Sequence, residues 1–181
     1  MCIRDRYLGV ELIDDGQGSF EARQPHLIKR IIEYSGLEAS LTNSRPTPAT
    51  LPLLYKDLQG TNRKYDWDYR AIVGMLNYLT GSTRPDLAMT VHQVARFSND
   101  PKLLHEKSVI RICRYLLDTP NHGMVFKPNK ELDLEVFVDA DFAGNCKNAS
   151  EDQPENCMSK TGFLIHYQSC NIIGNHNYKQ K

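Results

Sequence analysis

The stretch Leu132–Asp141, with the sequence LDLEVFVDAD, decides the fold class of the C-terminal part of this 181-residue chain. Apolar side chains recur there at every second position, which predicts a β-strand with leucine and valine on one face. The strand ends in two carboxylates, Asp139 and Asp141, which the same alternation places on one face while Ala140 points to the other. An apolar strand that ends in paired acids therefore opens the C-terminal part.

The rest of the C-terminal part also has the pattern of a β-sheet. Phe163–Tyr167 and Ile172-Ile173 are apolar and rich in aromatic or β-branched residues, which predicts further strands. The polar stretch Asn145–Ser159 predicts a loop after the first strand. We expect the boundary with the preceding residues near Asn121-His122-Gly123.

Residues before this boundary have mainly helical periodicity. Apolar side chains recur at spacings of three and four, prolines stand where helices begin, and Gly36 stands where the first helix ends. Helices are predicted at Pro25–Gly36, Tyr69–Gly81, Pro85–Ala95 and Lys102–Leu117.

The N-terminal residues predict a hairpin. Tyr7–Ile13 has the composition of one strand, residues 14–18 are rich in turn formers, and Ser19–Ala22 can pair back. Glycines follow Asp14-Asp15 closely, so we interpret these acids as part of a surface turn and not as a catalytic pair. Residues 40–65 contain three prolines and predict an extended connection.

Composition and charge exclude several classes of protein. The 22 basic and 22 acidic residues give no net charge, which argues against a strongly basic nucleic-acid clamp but not against a basic stripe on one face. No apolar run approaches the roughly 20 residues that cross a bilayer. The five cysteines are odd in number and include no Cys-x-x-Cys pair, which predicts a reducing compartment and no disulfide framework or zinc site.

Two groups of side chains are candidates for chemistry. Asp139 and Asp141 are hard oxygen ligands suited to Mg²⁺, although one strand supplies only part of a coordination shell; the alternative is a solvated strand end. The other group consists of three basic residues, Lys107, Arg111 and Arg114. They are spaced four and three positions apart on the last predicted helix, on the face opposite its apolar stripe. Such a row of positive charges suits binding to a phosphate backbone. The alternative interpretation is an ordinary helix face exposed to solvent.

Six short motifs stand in one order along the chain. They are Tyr7–Glu11 (YLGVE), Tyr69–Leu79 (YRAIVGMLNYL), Thr83–Asp86 (TRPD), His105–Thr119 (with Arg111, Arg114 and Tyr115), Val138–Gly144 (VDADFAG) and Ser159–Phe163 (SKTGF). In this order and spacing they resemble the polyprotein of copia-type LTR retrotransposons, and they cover nearly all of residues 7–181.

The resemblance implies an α+β fold. An N-terminal β-hairpin and the helical thumb and connection segments of a reverse transcriptase would precede the first strands of a ribonuclease H-like mixed sheet. The implied parts are residues 7–45 (primer-grip-like hairpin and first thumb helix), 46–120 (connection and helical thumb or connection segment) and 121–181 (truncated N-terminal part of the ribonuclease H-like domain). Residues 1–6 fit the translated end of a sequencing adapter, and we interpret them as a library artefact.

The resemblance also assigns roles to the candidate residues. Asp139 matches the first metal-binding carboxylate of a ribonuclease H site, which cuts the RNA of an RNA–DNA hybrid with two divalent ions, Mg²⁺ or Mn²⁺; Asp141 is a second metal candidate. Lys107, Arg111 and Arg114 would face the duplex, and Gly9 would belong to the primer-grip hairpin.

The implied partners are an RNA–DNA hybrid, a template–primer duplex and the remaining parts of the integrase-containing Pol polyprotein. The implied location is intracellular, in a cytoplasmic virus-like particle and the nucleus, without secretion or membrane attachment. The family's polymerase aspartates would lie upstream and its later ribonuclease H ligands downstream. We therefore expect the chain alone to be inactive and to bind no metal tightly.

Two alternatives to a reverse transcriptase and ribonuclease H fragment stay open. One is a domesticated, non-catalytic domain that binds nucleic acid or a protein partner. The other is an unrelated metal-dependent nuclease that combines Asp139 and Asp141 with Glu135 or Glu151.

Overall fold

The computed structural model describes residues 6–37, 54–141 and 160–178. Three sequence-based interpretations fall wholly or partly outside the described part: the artefact at residues 1–6, of which only Arg6 is described, the first part of the extended connection and the polar loop before residue 160. Within the described part, no helix is long and apolar enough to cross a membrane.

Three N-terminal strands and one strand that follows the helices form a four-stranded sheet. They are β1 (Arg6–Tyr7), β2 (Val10–Asp14), β3 (Phe20–Arg23) and β4 (Met124–Phe126), hydrogen-bonded in the order β1-β2-β3-β4. Gly123 lies beside β3, where a Cβ would overlap the carbonyl oxygen of Ala22. Only glycine permits this close backbone approach.

The predicted single strand Tyr7–Ile13 is wrong in one respect, because a turn divides it. Leu8 and Gly9 have φ values of 51° and 81°, and Tyr7 pairs directly with Val10 across them. A two-residue turn with positive φ at both positions matches the twist of an antiparallel pair and makes a tight hairpin. The strand periodicity of the sequence did not reveal this reversal.

The predicted surface turn after β2 is confirmed. The side chain of Asp14 accepts a hydrogen bond from the amide of Gly16 at 2.8 Å. Asp15 accepts from the amides of Gln17 and Ser19 at 2.7 and 3.0 Å. These backbone bonds lower the pKa of Asp15. Both carboxylates therefore cap a turn, as local acid side chains commonly do.

Four α-helices among the described residues follow the predicted pattern. They are α1 (Pro25–Ser35), α2 (Tyr69–Ser82), α3 (Ala88–Ala95) and α4 (Leu103–Asp118). Pro85 opens a separate 3₁₀ turn, Pro85–Leu87, so the helix predicted to begin there starts at Ala88. Gly36, with φ of 67°, ends α1, and the side chain of Asp68 caps α2 by accepting from two backbone amides.

The chain divides into two units. One contains residues 1–13 and 21–124, and the other contains residues 14–20 and 125–181. The first unit has an apolar core to which all four helices contribute. Its buried residues are Ile28, Ile31, Leu37, Leu54, Tyr69, Ile72, Val73, Leu76, Leu79, Leu87, Val91, Val94, Phe97, Val109, Ile112, Cys113 and Leu116.

The second unit has a three-stranded antiparallel sheet. Its strands are β5 (Leu134–Asp141), β6 (Lys160–Tyr167) and β7 (Cys170–Tyr178), in the order β5-β6-β7. The strands predicted at Phe163–Tyr167 and Ile172-Ile173 are confirmed as parts of β6 and β7. Leu134, Val136 and Val138 are 60%, 57% and 70% exposed, so the apolar face predicted for β5 lies open. Helices and antiparallel strands together give an α+β fold.

A buried arginine connects two helix ends in the first unit. Arg84, only 1% exposed, donates from Nε and Nη2 to both carboxylate oxygens of Asp86 at 2.9 and 2.8 Å. It also donates to the carbonyl and hydroxyl oxygens of Thr119, just after α4, at 2.9 and 3.0 Å. Tyr115 completes the group, because its hydroxyl donates to Asp86 at 3.1 Å and its ring lies 5.3 Å from the guanidinium.

The charge of this group is balanced locally. Burial raises the pKa of Asp86, but the hydrogen bonds and positive charge of Arg84, with the Tyr115 hydroxyl, lower it by more. The net pKa of Asp86 therefore lies below its ordinary value. A guanidinium suits this place because its planar fork can bind a carboxylate through two parallel hydrogen bonds.

We predict that Arg84→Met lowers the free energy of unfolding by roughly 2–4 kcal/mol, because it removes the hydrogen bonds that the buried guanidinium donates to Asp86 and Thr119. Urea unfolding followed by circular dichroism measures this loss. Arg30→Met, at an exposed position of α1, is the control and should change stability by less than about 0.5 kcal/mol. Equal losses for the two variants would contradict a structural role for Arg84.

Candidate functional site

The carboxylate candidates lie at one end of β5. Asp139 is exposed and pairs with Gly162 of β6, so no side chain stands directly across from it. Asp141 is the last residue of β5, and its side chain lies outside the described part of the structure. The strand end predicted from the sequence is therefore present, with one described carboxylate directed to solvent.

The described residues do not form a complete metal site. Among them, no group of three or more acidic, histidine or cysteine residues is placed to share an ion. Glu135 shares a strand face with Asp139, but four residues of strand separate their Cα atoms by about 13 Å, too far for one ion. Asp139 fits the hard-oxygen preference of Mg²⁺ as one ligand, and the remaining ligands are not found among the described residues.

The basic row on α4 has unequal exposure. Lys107 is exposed, whereas Arg111 and Arg114 are half-buried. The apolar stripe of the same helix is confirmed, because Val109, Ile112, Cys113 and Leu116 are all buried. The two arginines therefore lie at the flanks of the buried face, and Lys107 carries the most accessible charge of the three.

Two buried residues at the start of α4 hold the segment 54–68 against it. Glu106 is fully buried and accepts from Nε of Arg63 at 3.3 Å and from the amides of Lys64 and Tyr65 at 2.9 and 3.0 Å. His105, 1% exposed, stacks on Phe97 with ring centroids 4.1 Å apart. The periodicity of the sequence did not predict these contacts. The sequence singled out His105 only as the first residue of the motif His105–Thr119.

His105 is held in one neutral tautomer. Its Nδ1 accepts from the amide of Lys102 at 2.9 Å, so the proton is on Nε2, which donates to the carbonyl oxygen of Tyr55 at 2.9 Å. Burial lowers the pKa of His105, and the hydrogen bond to Tyr55 offsets this only in part. Protonation of Nδ1 would break the bond to Lys102.

Gly9 lies at the tip of the β1–β2 hairpin. No heavy atom lies within 4 Å of the place where its Cβ would be, so the glycine is required by its φ of 81° and not by crowding. Its neighbour Leu8 is 71% exposed. The carbonyl oxygen of Leu8 accepts a hydrogen bond from the hydroxyl of Tyr78, on α2, at 2.7 Å. Sequence reasoning missed Tyr78 as a partner of this turn.

The pKa of His105 predicts a pH dependence of stability. A histidine whose pKa is lower in the folded state contributes stability that is present above its unfolded pKa, about 6.5, and is lost as pH falls below that value. We expect His105→Gln to be less stable than the parent by about 1–2 kcal/mol at pH 7.5 and to lose less stability between pH 7.5 and pH 5.5.

Urea unfolding at the two pH values measures both effects. His122→Gln, at an exposed position, is the matched control and should keep the pH dependence of the parent. The interpretation of His105 is wrong if the two variants lose the same amount of stability over this pH range.

Comparisons with known proteins identify relatives over most of the chain. It is 29% identical to the retrovirus-related Pol polyprotein from transposon RE1 of Arabidopsis thaliana. The alignment of 160 residues covers 88% of this chain and 10% of that polyprotein. The corresponding polyprotein from transposon TNT 1-94 of Nicotiana tabacum is 30% identical over 148 residues, 78% of this chain and 10% of that protein. An uncharacterised mitochondrial protein of Arabidopsis thaliana is 31% identical over 168 residues, 92% of this chain and 64% of its own length.

The chain thus spans about a tenth of the polyproteins that it matches. No family model and no solved structure matches it. On this similarity, the chain belongs to the family of retrovirus-related Pol polyproteins of copia-type transposons.

Proposed function

We propose that this chain corresponds to the end of the reverse transcriptase and the beginning of the ribonuclease H domain of such a polyprotein. The observation that carries the proposal is the antiparallel sheet β5-β6-β7 with an exposed carboxylate, Asp139, near the end of its first strand. Strand β5 follows a helical unit that has its own apolar core. The resemblance of the motifs implies the same order, with the helical segment first and the carboxylate strand second.

In this proposal the helical unit holds a template–primer duplex or an RNA–DNA hybrid. Lys107 on α4 offers an exposed charge to the phosphate backbone, with Arg111 and Arg114 beside it. Such contacts depend on charge and backbone shape and carry no base preference. Hybrid recognition would use the 2′-hydroxyl and helix shape.

The carboxylate strand has a different role. Asp139, with Asp141 as a second candidate, would hold a divalent ion such as Mg²⁺ or Mn²⁺ in the parent polyprotein, and that ion would activate water to cut the RNA strand. The described residues supply one ligand, so we expect the chain alone to cleave nothing and to bind the ion weakly. The chain also contains no Tyr-x-Asp-Asp sequence, so we assign it no polymerisation step.

The remaining proposals concern partners and location. The rest of the Pol polyprotein would be the protein partner, inside the cell, in a virus-like particle and the nucleus. A domesticated binding domain is the second candidate function. One observation favours it: the helical unit has a core and a buried ionic group that do not involve Asp139.

The binding part of the proposal predicts that the chain binds a fluorescein-labelled RNA–DNA hybrid, with an affinity that falls as salt rises. Lys107→Glu should weaken binding by roughly three- to tenfold, because it reverses an exposed charge that faces the phosphates. Fluorescence anisotropy measures the affinity. Lys56→Glu, an exposed lysine outside α4, is the matched control. Absence of binding by the parent chain would contradict the proposal.

The proposed role of Asp139 predicts how a chimaeric polyprotein cleaves an RNA–DNA hybrid. When this chain replaces the matched segment of the tobacco transposon polyprotein, Asp139→Asn should reduce Mg²⁺-dependent cleavage of a labelled hybrid by at least about a hundredfold. Asp133→Asn, an exposed carboxylate just before β5, is the control and should keep activity. If the chimaera cleaves and Asp139→Asn cleaves equally well, Asp139 is not the metal ligand.

A further inference from the structure

The hairpin β1–β2 is anchored at two places within the first unit. Near the start of β2, the side chain of Glu11 lies 3.4 Å from Nε of Arg23, on β3, and 3.3 Å from Nε2 of His26, on α1. At the tip, the Tyr78 hydroxyl donates to the Leu8 carbonyl oxygen at 2.7 Å. One anchor therefore joins the hairpin to its neighbouring strand and helix, and the other joins its turn to α2.

Tyr78 is not part of the core of α2. The buried face of that helix consists of Tyr69, Ile72, Val73, Leu76 and Leu79. Tyr78 is 48% exposed, and its described hydrogen bond leads to a residue 70 positions away in the chain. Its hydroxyl is thus available for positioning the turn and contributes little to the packing of the helix.

The turn that Tyr78 holds is unusual for its sequence. Leu8 has φ of 51°, a left-handed conformation that leucine rarely adopts, and its side chain is 71% exposed. Burial therefore does not stabilise this conformation of Leu8. A non-glycine residue kept in such a conformation by its surroundings is typical of a site where backbone geometry serves function.

We propose that Tyr78 is a positioning residue for nucleic acid: it holds the Leu8–Gly9 turn so that the turn meets the primer end of a template–primer duplex. This inference rests on the proposed function. The open space at Gly9 permits close approach of a sugar–phosphate backbone, and Leu8 presents an apolar surface beside it. Without the Tyr78 hydroxyl, the turn keeps the same residues, but its position relative to α2 is no longer fixed.

The experiment compares two labelled probes with the full chain. One is an RNA template annealed to a DNA primer with a recessed 3′ end, and the other is a blunt-ended hybrid of the same base-paired length. We expect the parent chain to prefer the recessed end. Tyr78→Phe should reduce that preference by roughly fivefold, as expected for one neutral hydrogen bond, and leave the affinity for the blunt hybrid unchanged.

Two further measurements separate positioning from folding. Tyr78→Phe should lower the melting temperature by no more than a few degrees, as expected for the loss of one exposed hydrogen bond, and should speed amide exchange in residues 7–12 without changing α4. Gly9→Ala disturbs the same turn from the hairpin side, because alanine is strained at φ of 81°, and should also reduce the preference. Tyr34→Phe, an exposed tyrosine on α1, is the control and should behave like the parent.

The outcomes distinguish the two proposals. If the parent prefers the recessed end and both Tyr78→Phe and Gly9→Ala keep that preference, the positioning role is overturned while the proposed function stands. If Tyr78→Phe weakens binding to both probes equally, the hydroxyl serves general structure and the inference is again overturned. If the parent binds neither probe, the proposed function fails and the positioning role fails with it.

Discussion

The helical unit depends on the buried guanidinium of Arg84. A charge that is 1% exposed is tolerated only when its donors are satisfied, and Arg84 satisfies them with Asp86 and Thr119. Asp86 lies in the 3₁₀ turn after α2, and Thr119 follows the last residue of α4. The end of α4 therefore cannot move away from that turn without leaving a buried charge unpaired. Two of the family motifs, TRPD and the one that ends at Thr119, meet in this group.

The start of α4 is held by a second buried polar group, so the helix is secured at both ends. Glu106 and His105 bind backbone groups of the segment 54–68, and Arg63 shares the Glu106 carboxylate. This arrangement gives the exposed Lys107 a defined direction relative to the core. A basic residue on a helix secured at both ends is better suited to tracking a phosphate backbone than one on a fraying terminus.

The sheet of the second unit presents a different physical situation. Val136 and Val138 are more than half exposed, and β5 has a neighbour on one side only among the described strands. An apolar strand with an open edge is prone to pair with further chain. Asp139 lies on this same strand, so the candidate metal ligand and the open apolar surface share one element.

Local pattern predicted most of the elements. In α2 the residues at spacings of three and four are all buried: Tyr69, Ile72, Val73, Leu76 and Leu79. The alternation in β5 identified the strand that carries Asp139, and the pairing of β5 with β6 confirms it as a strand. These predictions succeed because helix and strand periodicity depend on neighbours within a few residues.

The chain's own sequence thus determined which segments are helices, strands and turns, and where the candidate carboxylates and bases stand along them. Only the tertiary structure decided which polar groups are buried and what they bind. The contacts of Arg84 with Thr119, Arg63 with Glu106 and Tyr78 with Leu8 span 35, 43 and 70 residues. No local propensity encodes such pairs, because the desolvation that makes them necessary arises only when distant segments pack together.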